Sequence, residues 1–360
     1  IMGSITGAPA ANTSATGAYT IPLMKRVGFY PHVAGGIEAA ASTGGCFMPP
    51  IMGAGAFILA AMTETPYFEI VKLAVIPAFL YYLSVGAMVH FEACKMGIEA
   101  LPKAEVPPLG KALKEAILIV IPIFLIVILL VQGKSPNYAA FWAIIATVGL
   151  SYLKKETRML PHKLLEALAE GARTSLTVGA SAGVIGIIMG SVILSGLGLK
   201  FAGIIKSVSA GSLPVAVLLV AVCSYIMGMG LTITASYVVL AIVAVPALLE
   251  LGVPVITAHL VVFWSTQFAT VTPPVAMAAF TGAGIAKADF NKTGFAAVRM
   301  AGALYIMPFL FIYTPILLKG SPLAITQYTI AAGLGFIAFA VFLQNYFFAQ
   351  TTLWERIGWL

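Results

Sequence analysis

The chain has 360 residues, of which 60% are hydrophobic and only 9% are charged, and its formal net charge is +7. A water-soluble core cannot hide so much apolar surface, so the composition indicates an integral membrane protein and excludes most soluble classes. The basic residues lie in short loops between apolar runs, where they encode membrane orientation, so we expect no nucleic-acid partner. The three cysteines are unclustered and indicate neither a disulfide framework nor a metal site.

Apolar segments of membrane-spanning length follow one another along the chain. Residues 34–61 and 255–286 are each broken in the middle by a double proline. Residues 1–24 and 213–251 are each interrupted by a short polar, glycine-rich cluster. We interpret both segments as re-entrant helical hairpins, of which the first lacks most of its leading arm. The other candidate spans are residues 68–93, 116–132, 138–153, 174–196, 295–318 and 323–346. The expected fold is an all-α polytopic membrane protein with two hairpins and two broken transmembrane helices.

A weak internal repeat relates the two broken segments. At an offset of 224 residues, the double proline that begins at Pro49 superposes on the one that begins at Pro273, and Pro22 superposes on Pro246. Further identities at this offset are Gly28 with Gly252 and Ala34 with Ala258. Helix breakers at matching places in two halves of a membrane protein indicate a secondary transporter, because its unwound backbone lies at the substrate and ion site.

Loop charges give the two halves an orientation. The strongest positive loop consists of Lys154, Lys155, Arg158 and Lys163, and the positive-inside rule places it in the cytoplasm. Alternation then places few basic residues outside, namely Lys134, Lys200, Lys206 and Lys319. The first hairpin therefore enters from the cytoplasm and the second from the outside, which predicts an inverted-topology repeat.

Irregular backbone inside a bilayer persists only where protein, water or a ligand satisfies its polar groups. A hairpin tip that faces a broken helix offers helix N-termini to a carboxylate, and carbonyls and hydroxyls to a hard cation such as sodium. Cation site 1 is expected to comprise Ser4, Thr6, Gly7, Asn12, Gly44, Gly45 and Pro49. Cation site 2 is expected to comprise Gly228, Gly230, Thr232, Thr234, Thr270, Thr272 and Pro273. An anionic substrate between them would contact Ser42, Thr43, Cys46, Thr234 and Thr270.

Ionisable residues within or at the edge of a span are functional candidates. They are Glu38, Lys72, Arg173 and His259. We assign Glu38 a candidate coupling or gating role, whereas the other three equally fit snorkelling or interfacial positions. Glu92, near a cytoplasmic helix end, is expected to be solvated.

Two long stretches carry a family resemblance. The first comprises TGAYTIPLMKRVG at 16–28, AGGIEAAASTGG at 34–45 and MPPIMG at 48–53. The second comprises GMGLT at 228–232, ATVTPPVA at 269–276 and MPF at 307–309. Together they resemble the large membrane subunit of tripartite ATP-independent periplasmic (TRAP) transporters, and more narrowly the branch called TAXI, over nearly all of residues 3–320.

The resemblance implies an elevator-type secondary symporter and not an enzyme. A periplasmic or extracellular binding protein delivers an organic acid, such as a dicarboxylate, and a small membrane subunit or its fused N-terminal equivalent completes the permease. The coupling ion is usually Na+, with H+ as the alternative, no cofactor is required, and the unit lies among the lipids of a prokaryotic inner membrane. Two positions depart from the family pattern. The stretch from Gly7 to Asn12 loses a hydroxyl and gains a proline, and Cys46 stands where relatives often carry Gln.

The expected domain organisation has four parts, and the start without Met suggests the C-terminal portion of a longer polypeptide. Residues 1–67 form the partial first hairpin and first broken helix of the transport domain, 68–173 form scaffold and connecting helices, 174–294 form the second repeat, and 295–360 form C-terminal transmembrane helices. A stand-alone sodium/dicarboxylate symporter remains the alternative, followed by an ion channel or an intramembrane enzyme. An enzyme is disfavoured because the four histidines are scattered without ligand spacing.

Overall fold

The computed structural model describes residues 6–99 and 108–349, together with residues 3, 101, 355 and 358. Its architecture is helical, which confirms the all-α class. The helices are α1 (Pro9–Val27), α2 (Pro31–Gly44), α3 (Ala54–Met62), α4 (Tyr67–Lys95), α5 (Leu109–Val131), α6 (Pro136–Ser151), α7 (Pro161–Leu194), α8 (Leu197–Val208), α9 (Leu213–Gly228), α10 (Ile233–Glu250), α11 (Val255–Ser265), α12 (Phe268–Val271), α13 (Met277–Ala286), α14 (Phe290–Met300), α15 (Ala303–Tyr313) and α16 (Pro322–Gln344). Short 3-10 turns cover Lys155–Thr157 and Pro315–Leu317.

Several of these helices suit a membrane by length and composition. Within the described part of the chain, four segments are long and apolar enough to cross a bilayer. They are Tyr67–Lys95, Ile233–Glu250, Phe290–Tyr313 and Pro322–Gln344. The sequence did not predict α8, because its twelve residues are too short for a span. Helix α7 begins at Pro161, ahead of the candidate span of residues 174–196.

Both double prolines interrupt their helices as predicted. In the first repeat α2 ends at Gly44 and α3 begins at Ala54, and in the second α11 ends at Ser265 and α13 begins at Met277. Proline has no N–H to donate and disfavours the α conformation at the preceding residue, so neither segment continues as a helix through the pair. Both Pro–Pro peptide bonds are cis.

The helices repeat in the same register as the sequence. At the offset of 224 residues, α1 corresponds to α10, α2 to α11, and α3 to α13. Gly28 and Gly252 follow the first helix of each repeat with φ of 116° and 82°, in the left-handed region that glycine tolerates at a helix end. The local structure therefore repeats over three successive helices and the turns between them.

The two repeats exchange their half-helices. Helix α3 of the first repeat packs on α10 and α11 of the second, and α13 of the second packs on α1 and α2 of the first. The crossing of α2 and α13 is close, since a Cβ on Gly282 would lie 2.6 Å from the carbonyl oxygen of Gly35. This reciprocal packing relates the repeats as a two-fold axis would, and it brings both breaks into one core.

The chain divides into two compact units. One comprises Ile1–Thr65, Glu69–Glu99 and Ile188–Leu360, and it contains both repeats. The other comprises Pro66–Phe68 and Ala100–Ile187, and within it α5 packs against α6. The broken helices and the α9–α10 hairpin thus share a single core, while the four-part domain organisation stays a prediction.

Candidate functional site

The two breaks meet at a pair of threonines. The Oγ1 atoms of Thr43 and Thr270 lie 3.1 Å apart, although 227 residues separate them in the chain. Each hydroxyl also lies within hydrogen-bond distance of a carbonyl on its own segment, Ala39 for Thr43 at 2.9 Å and Gln267 for Thr270 at 2.6 Å. Both threonines were predicted to contact the substrate, and the structure brings them together.

An aromatic stack supports this meeting point. The ring of Phe47, just after α2, stacks on Trp264 of α11 with centroids 3.7 Å apart and an interplanar angle of 28°. Tyr81 packs edge-on against both rings, and Phe311 packs edge-on against Trp264. All four side chains are fully buried. Such rings fix the relative position of the two breaks because they fill space that no smaller side chain would fill.

The end of α2 is held by two tyrosines. After Gly44 the backbone changes to tighter turns, so the N–H of Gly45 bonds the carbonyl of Ser42 and the carbonyl of Ala41 loses its helical partner. The hydroxyl of Tyr82 donates to that carbonyl at 2.9 Å, and the hydroxyl of Tyr81 donates to the carbonyl of Ala40 at 2.7 Å. The carbonyl groups at the end of α2 therefore have hydrogen-bond partners, and the helix end is not frayed.

At cation site 1 the hairpin tip touches the first break through paired glycines. A Cβ on Gly45 would lie 2.4 Å from the Cα of Gly3, and a Cβ on Gly7 would lie 2.8 Å from the Cα of Gly53. The Cys46 thiol donates to the carbonyl of Gly7 at 3.2 Å, so Cys46 belongs to this tip contact. These approaches exclude any larger side chain at the glycine positions. The tip therefore lies directly against the break.

The remaining site 1 residues are placed as follows. The hydroxyl of Thr6 lies 3.4 Å from the carbonyl of Gly3, and Gly44 lies under the rings of Tyr81 and Tyr82. Pro49 is half-buried within the break. Ser4 lies outside the described residues. The membership of cation site 1 stays a prediction.

A polar seam runs between α1 and α2 beside this tip. The side-chain amide nitrogen of Asn12 donates to Oγ of Ser42 at 2.9 Å, and Oγ of Ser42 lies 3.3 Å from Oε1 of Glu38. The hydroxyl of Thr16 contacts Oε1 of Glu38, and that of Thr20 contacts Oε2. The sequence analysis did not single out Thr16 and Thr20. Their spacing of four from Asn12 places all three on one helical face, which was the available signal.

At cation site 2 the tip of the α9–α10 hairpin faces the second break. A Cβ on Gly228 would lie 2.9 Å from Cβ of Ala269, and Gly230 has a φ of 83° in the turn between the helices. The hydroxyl of Thr232 caps α10 by accepting from the N–H of Ala235 at 3.3 Å, and Thr234 lies in the first turn of that helix.

Two tyrosines hold the second break. The hydroxyls of Thr272 and Tyr305 lie 2.6 Å apart, and the hydroxyl of Tyr225 donates to the carbonyl of Pro273. Neither tyrosine has a local sequence signal, since each reaches the break from another helix. The structure thus brings Gly228 to the break and leaves Thr232 in a capping role, while a cation at site 2 stays a prediction.

In both regions, some buried polar atoms have no hydrogen-bond partner within the described part of the chain. They include Oδ1 of Asn12 and Oγ of Ser236, which correspond at the offset of 224 residues. Oε1 of Gln267, beside Thr270 in the second break, also has no partner. An unsatisfied buried oxygen is costly unless a ligand or water completes it, so these atoms are suited to binding.

A cavity lies elsewhere in the fold. It has a volume of about 400 Å³ and lies between the starts of α9 and α11 and the end of α15. Its lining includes Thr257, Tyr313 and Lys319. Lys319 donates to the hydroxyl of Thr257 across it, and burial lowers the pKa of this lysine from its ordinary value. No predicted site residue lines the cavity, so the threonine pair remains the stronger candidate site.

The ionisable candidates differ in their partners. Lys72 pairs with Glu69 at 2.7 Å, Arg173 with Glu170 at 3.8 Å, and Nδ1 of His259 bonds the hydroxyl of Tyr237 at 2.8 Å. Glu38 is buried, and its contacts in the described part of the chain are hydroxyls.

The expectation that Glu92 is solvated is wrong. Glu92 is only 4% exposed, and Arg299 of α14 donates to its Oε1 at 2.9 Å. The chain fold brings this arginine from a distant helix, and a buried carboxylate requires such a partner.

Comparison with known proteins identifies the family. The model of the family "Tripartite ATP-independent periplasmic transporter, DctM component" matches residues 1–319. The chain belongs to the DctM family of TRAP transporters. It is a transporter component and not an enzyme, and large permeases of this family work with a periplasmic binding protein and a small membrane subunit.

Two relatives are similar to this chain over most of its length. The chain is 22% identical over 322 residues to a Haemophilus influenzae protein named "Putative TRAP transporter large permease protein", covering 88% of this chain and 73% of that one. It is 21% identical over 318 residues to "Uncharacterized protein YgiK" of Salmonella typhimurium, covering 88% of this chain and 72% of that one.

Proposed function

We propose that this chain carries the moving transport domain of a TAXI-type TRAP permease, which symports an organic acid with Na+ by an elevator mechanism. The observation that supports this most directly is the meeting of the two breaks at Thr43 and Thr270. Half-helices of both repeats begin around these breaks, and their N-termini attract a carboxylate. The substrate would bind where the two hydroxyls meet.

The two cation sites would flank this substrate position. Each combines a glycine-rich tip, an unwound backbone and a buried oxygen without a partner, on Asn12 in the first repeat and Ser236 in the second. Neutral carbonyl, amide and hydroxyl oxygens suit Na+, as they do in other transporters with broken helices. Cation binding would order each tip against its break and so complete the substrate site.

The reciprocal packing of the repeats supports rigid-body movement. Because α3 and α13 are exchanged between repeats, neither repeat can shift alone without losing packing with the other. A loaded domain would therefore cross the membrane as one body. The hairpins would be re-entrant from opposite sides of a prokaryotic inner membrane, and the external binding protein would deliver the acid from the periplasmic face.

The decisive experiment is uptake of labelled organic acids, beginning with succinate, by the full-length permease in proteoliposomes with its binding protein. Sodium and proton gradients are imposed separately. We expect uptake to require the binding protein and a cation gradient. Uptake that is indifferent to both gradients would refute symport, and uptake without the binding protein would favour a stand-alone symporter.

A matched pair of variants tests the position of the substrate. Thr270→Val removes a hydroxyl at the meeting point with little change in volume, whereas Thr326→Val removes an exposed hydroxyl on α16 that bonds the carbonyl four residues earlier. We expect the first variant to lose uptake and the second to retain it. Equal uptake by both variants would remove Thr270 from the site.

A further inference from the structure

A single buried carboxyl group lies in the polar seam between α1 and α2. We propose that Glu38 binds and releases a proton during transport, in addition to the ions at the two candidate cation sites. The inference deepens the proposed function and rests on it, because it assigns a coupling proton to the same moving domain.

Three hydroxyl groups hold the carboxyl group of Glu38. Thr16 contacts one of its oxygens, Thr20 contacts the other, and Ser42 lies 3.3 Å from the first. Glu38 is 6% exposed, and the residues that the structure describes provide it with no salt bridge. The three hydroxyl groups are therefore the polar groups that surround this carboxyl group in the described part of the chain.

Charged groups on the elements packed around α2 lie elsewhere along these helices. On α1, Lys25 donates to the carbonyl of Ala286 at 2.8 Å, and Arg299 on α14 is paired with Glu92. The other titratable groups on or beside these elements are Arg26, His32, Tyr81, Tyr82, His90, Lys287, Asp289 and Lys292. Burial lowers the pKa of His32, and the charges of Lys292, Arg299, Glu92 and Asp289 also act on it. These four charged groups therefore lie near the start of α2, at the opposite end of the helix from the break.

The hydroxyl groups can satisfy either protonation state. Oγ1 of Thr16 also lies 2.8 Å from the carbonyl of Asn12, and Oγ1 of Thr20 lies 3.0 Å from the carbonyl of Thr16. Each hydroxyl has one hydrogen and can donate it in only one direction. With Glu38 ionised, both threonines donate to the carboxylate. With Glu38 neutral, one threonine turns its hydrogen to the helix carbonyl and accepts the carboxyl proton.

This exchange requires only O–H rotation, so a proton can enter and leave without repacking. Thr16 and Thr20 are half-buried at the edge of the seam, so these two hydroxyl groups lie between the carboxyl group and the surface of the chain. Oxygens that share a hydrogen bond leave no space for a metal ion between them. The seam therefore fits a proton rather than Na+.

The second repeat provides an internal control for a structural role. At the offset of 224 residues, Thr16, Thr20 and Glu38 correspond to Leu240, Ala244 and Val262, all of which are fully buried. The same pair of helices thus packs with apolar side chains in the second repeat. Packing alone does not require a carboxyl group, so the seam has a role specific to the first repeat.

The seam also reaches cation site 1. Ser42, which lies beside Glu38, accepts from the amide nitrogen of Asn12, while Oδ1 of Asn12 is buried and has no hydrogen-bond partner among the residues that the structure describes. When Glu38 is ionised, Ser42 donates to it and must accept from Asn12. That orientation leaves Oδ1 available as a cation ligand, so loss of the proton from Glu38 prepares site 1.

Infrared difference spectroscopy tests the proposal without substrate. The purified full-length protein in nanodiscs is acidified in sodium-free buffer, and the C=O stretching band of a protonated carboxyl group is recorded. We expect such a band in the wild type, its loss in Glu38→Gln, and its retention in Glu250→Gln, which alters an exposed pair with Lys206. Identical acid-induced spectra for Glu38→Gln and the wild type would overturn the proposal.

A second variant decides the question if Glu38→Gln does not fold. In the double variant Thr16→Val and Thr20→Val, the carboxyl group loses two hydrogen-bond partners, so its C=O band should move to higher wavenumber, whereas Thr326→Val should leave it unchanged. A band that is unmoved in the double variant would refute the assignment. These spectra need neither substrate nor binding protein, so their failure is distinguishable from a failure of uptake.

Discussion

The contact between Gly3 and Gly45 provides the sharpest test of cation site 1. In Gly45→Ala the new Cβ would lie 2.4 Å from the Cα of Gly3 and 2.5 Å from its carbonyl carbon. Both neighbours are backbone atoms, so no rotamer change relieves the clash. Ordinary contact begins at 3.4 Å. The tip must therefore move away from the break by about 1 Å, several times the tolerance of roughly 0.2 Å expected for metal–ligand distances.

Sodium-dependent thermal stability measures this displacement. A ligand at 100 times its dissociation constant stabilises a protein by about 2.7 kcal/mol, and a 100-fold weaker site at the same concentration gives only about 0.4 kcal/mol. We therefore expect NaCl to raise the melting temperature of the wild type above its value in choline chloride of equal ionic strength. In Gly45→Ala, most of the sodium-dependent rise in melting temperature that comes from cation site 1 should disappear.

Gly86→Ala is the matched control. A Cβ at Gly86 of α4 would meet nothing within 4 Å, so this variant should keep the full sodium response. We expect it to gain about 0.5–1 kcal/mol of helix stability, in the usual direction for this exchange. An undiminished sodium response in Gly45→Ala would refute the argument that the tip contact forms the site.

Two further predictions concern the core and the topology. Phe47→Ala removes a buried ring that stacks on Trp264, and we expect it to lower the free energy of unfolding by about 3 kcal/mol or more. Its melting temperature should fall well below that of Phe295→Ala, whose ring is 67% exposed. Equal melting temperatures would contradict the role of the stack. Single cysteines replacing Lys319 and Lys287, in a background without Cys46, Cys94 and Cys223, should react with a membrane-impermeant maleimide from outside and inside, respectively. Labelling of both from one side would contradict the inverted topology.

Local sequence signals account for the backbone of the site. A proline pair breaks a helix because of its own ring, wherever the surrounding chain lies, so Pro49 and Pro273 predicted both breaks. The glycines at 28 and 252 follow α1 and α10 with positive φ, which is likewise a local effect of residues without a Cβ. These features depend on neighbouring residues only, which is why one sequence was sufficient to find them.

Partners across the core had no such signal. Tyr82 and Tyr305 stabilise the breaks from helices far along the chain, and nothing around either residue distinguishes it from an ordinary apolar aromatic. The pairing of Glu92 with Arg299, separated by 207 residues, reversed the expectation of a solvated side chain for the same reason. Contacts of this kind follow from helix packing, which composition and periodicity do not encode locally.

The sequence by itself determined the membrane class, the two breaks, the offset of the repeat and the family. Only the tertiary structure showed that the half-helices α3 and α13 are exchanged between repeats, that Thr43 meets Thr270, and that hydroxyls surround Glu38. The physical reason is the range of each interaction. Helix breaking and hydropathy act between neighbours in the chain, whereas a binding site is formed by side chains that the folded core brings within a few ångströms.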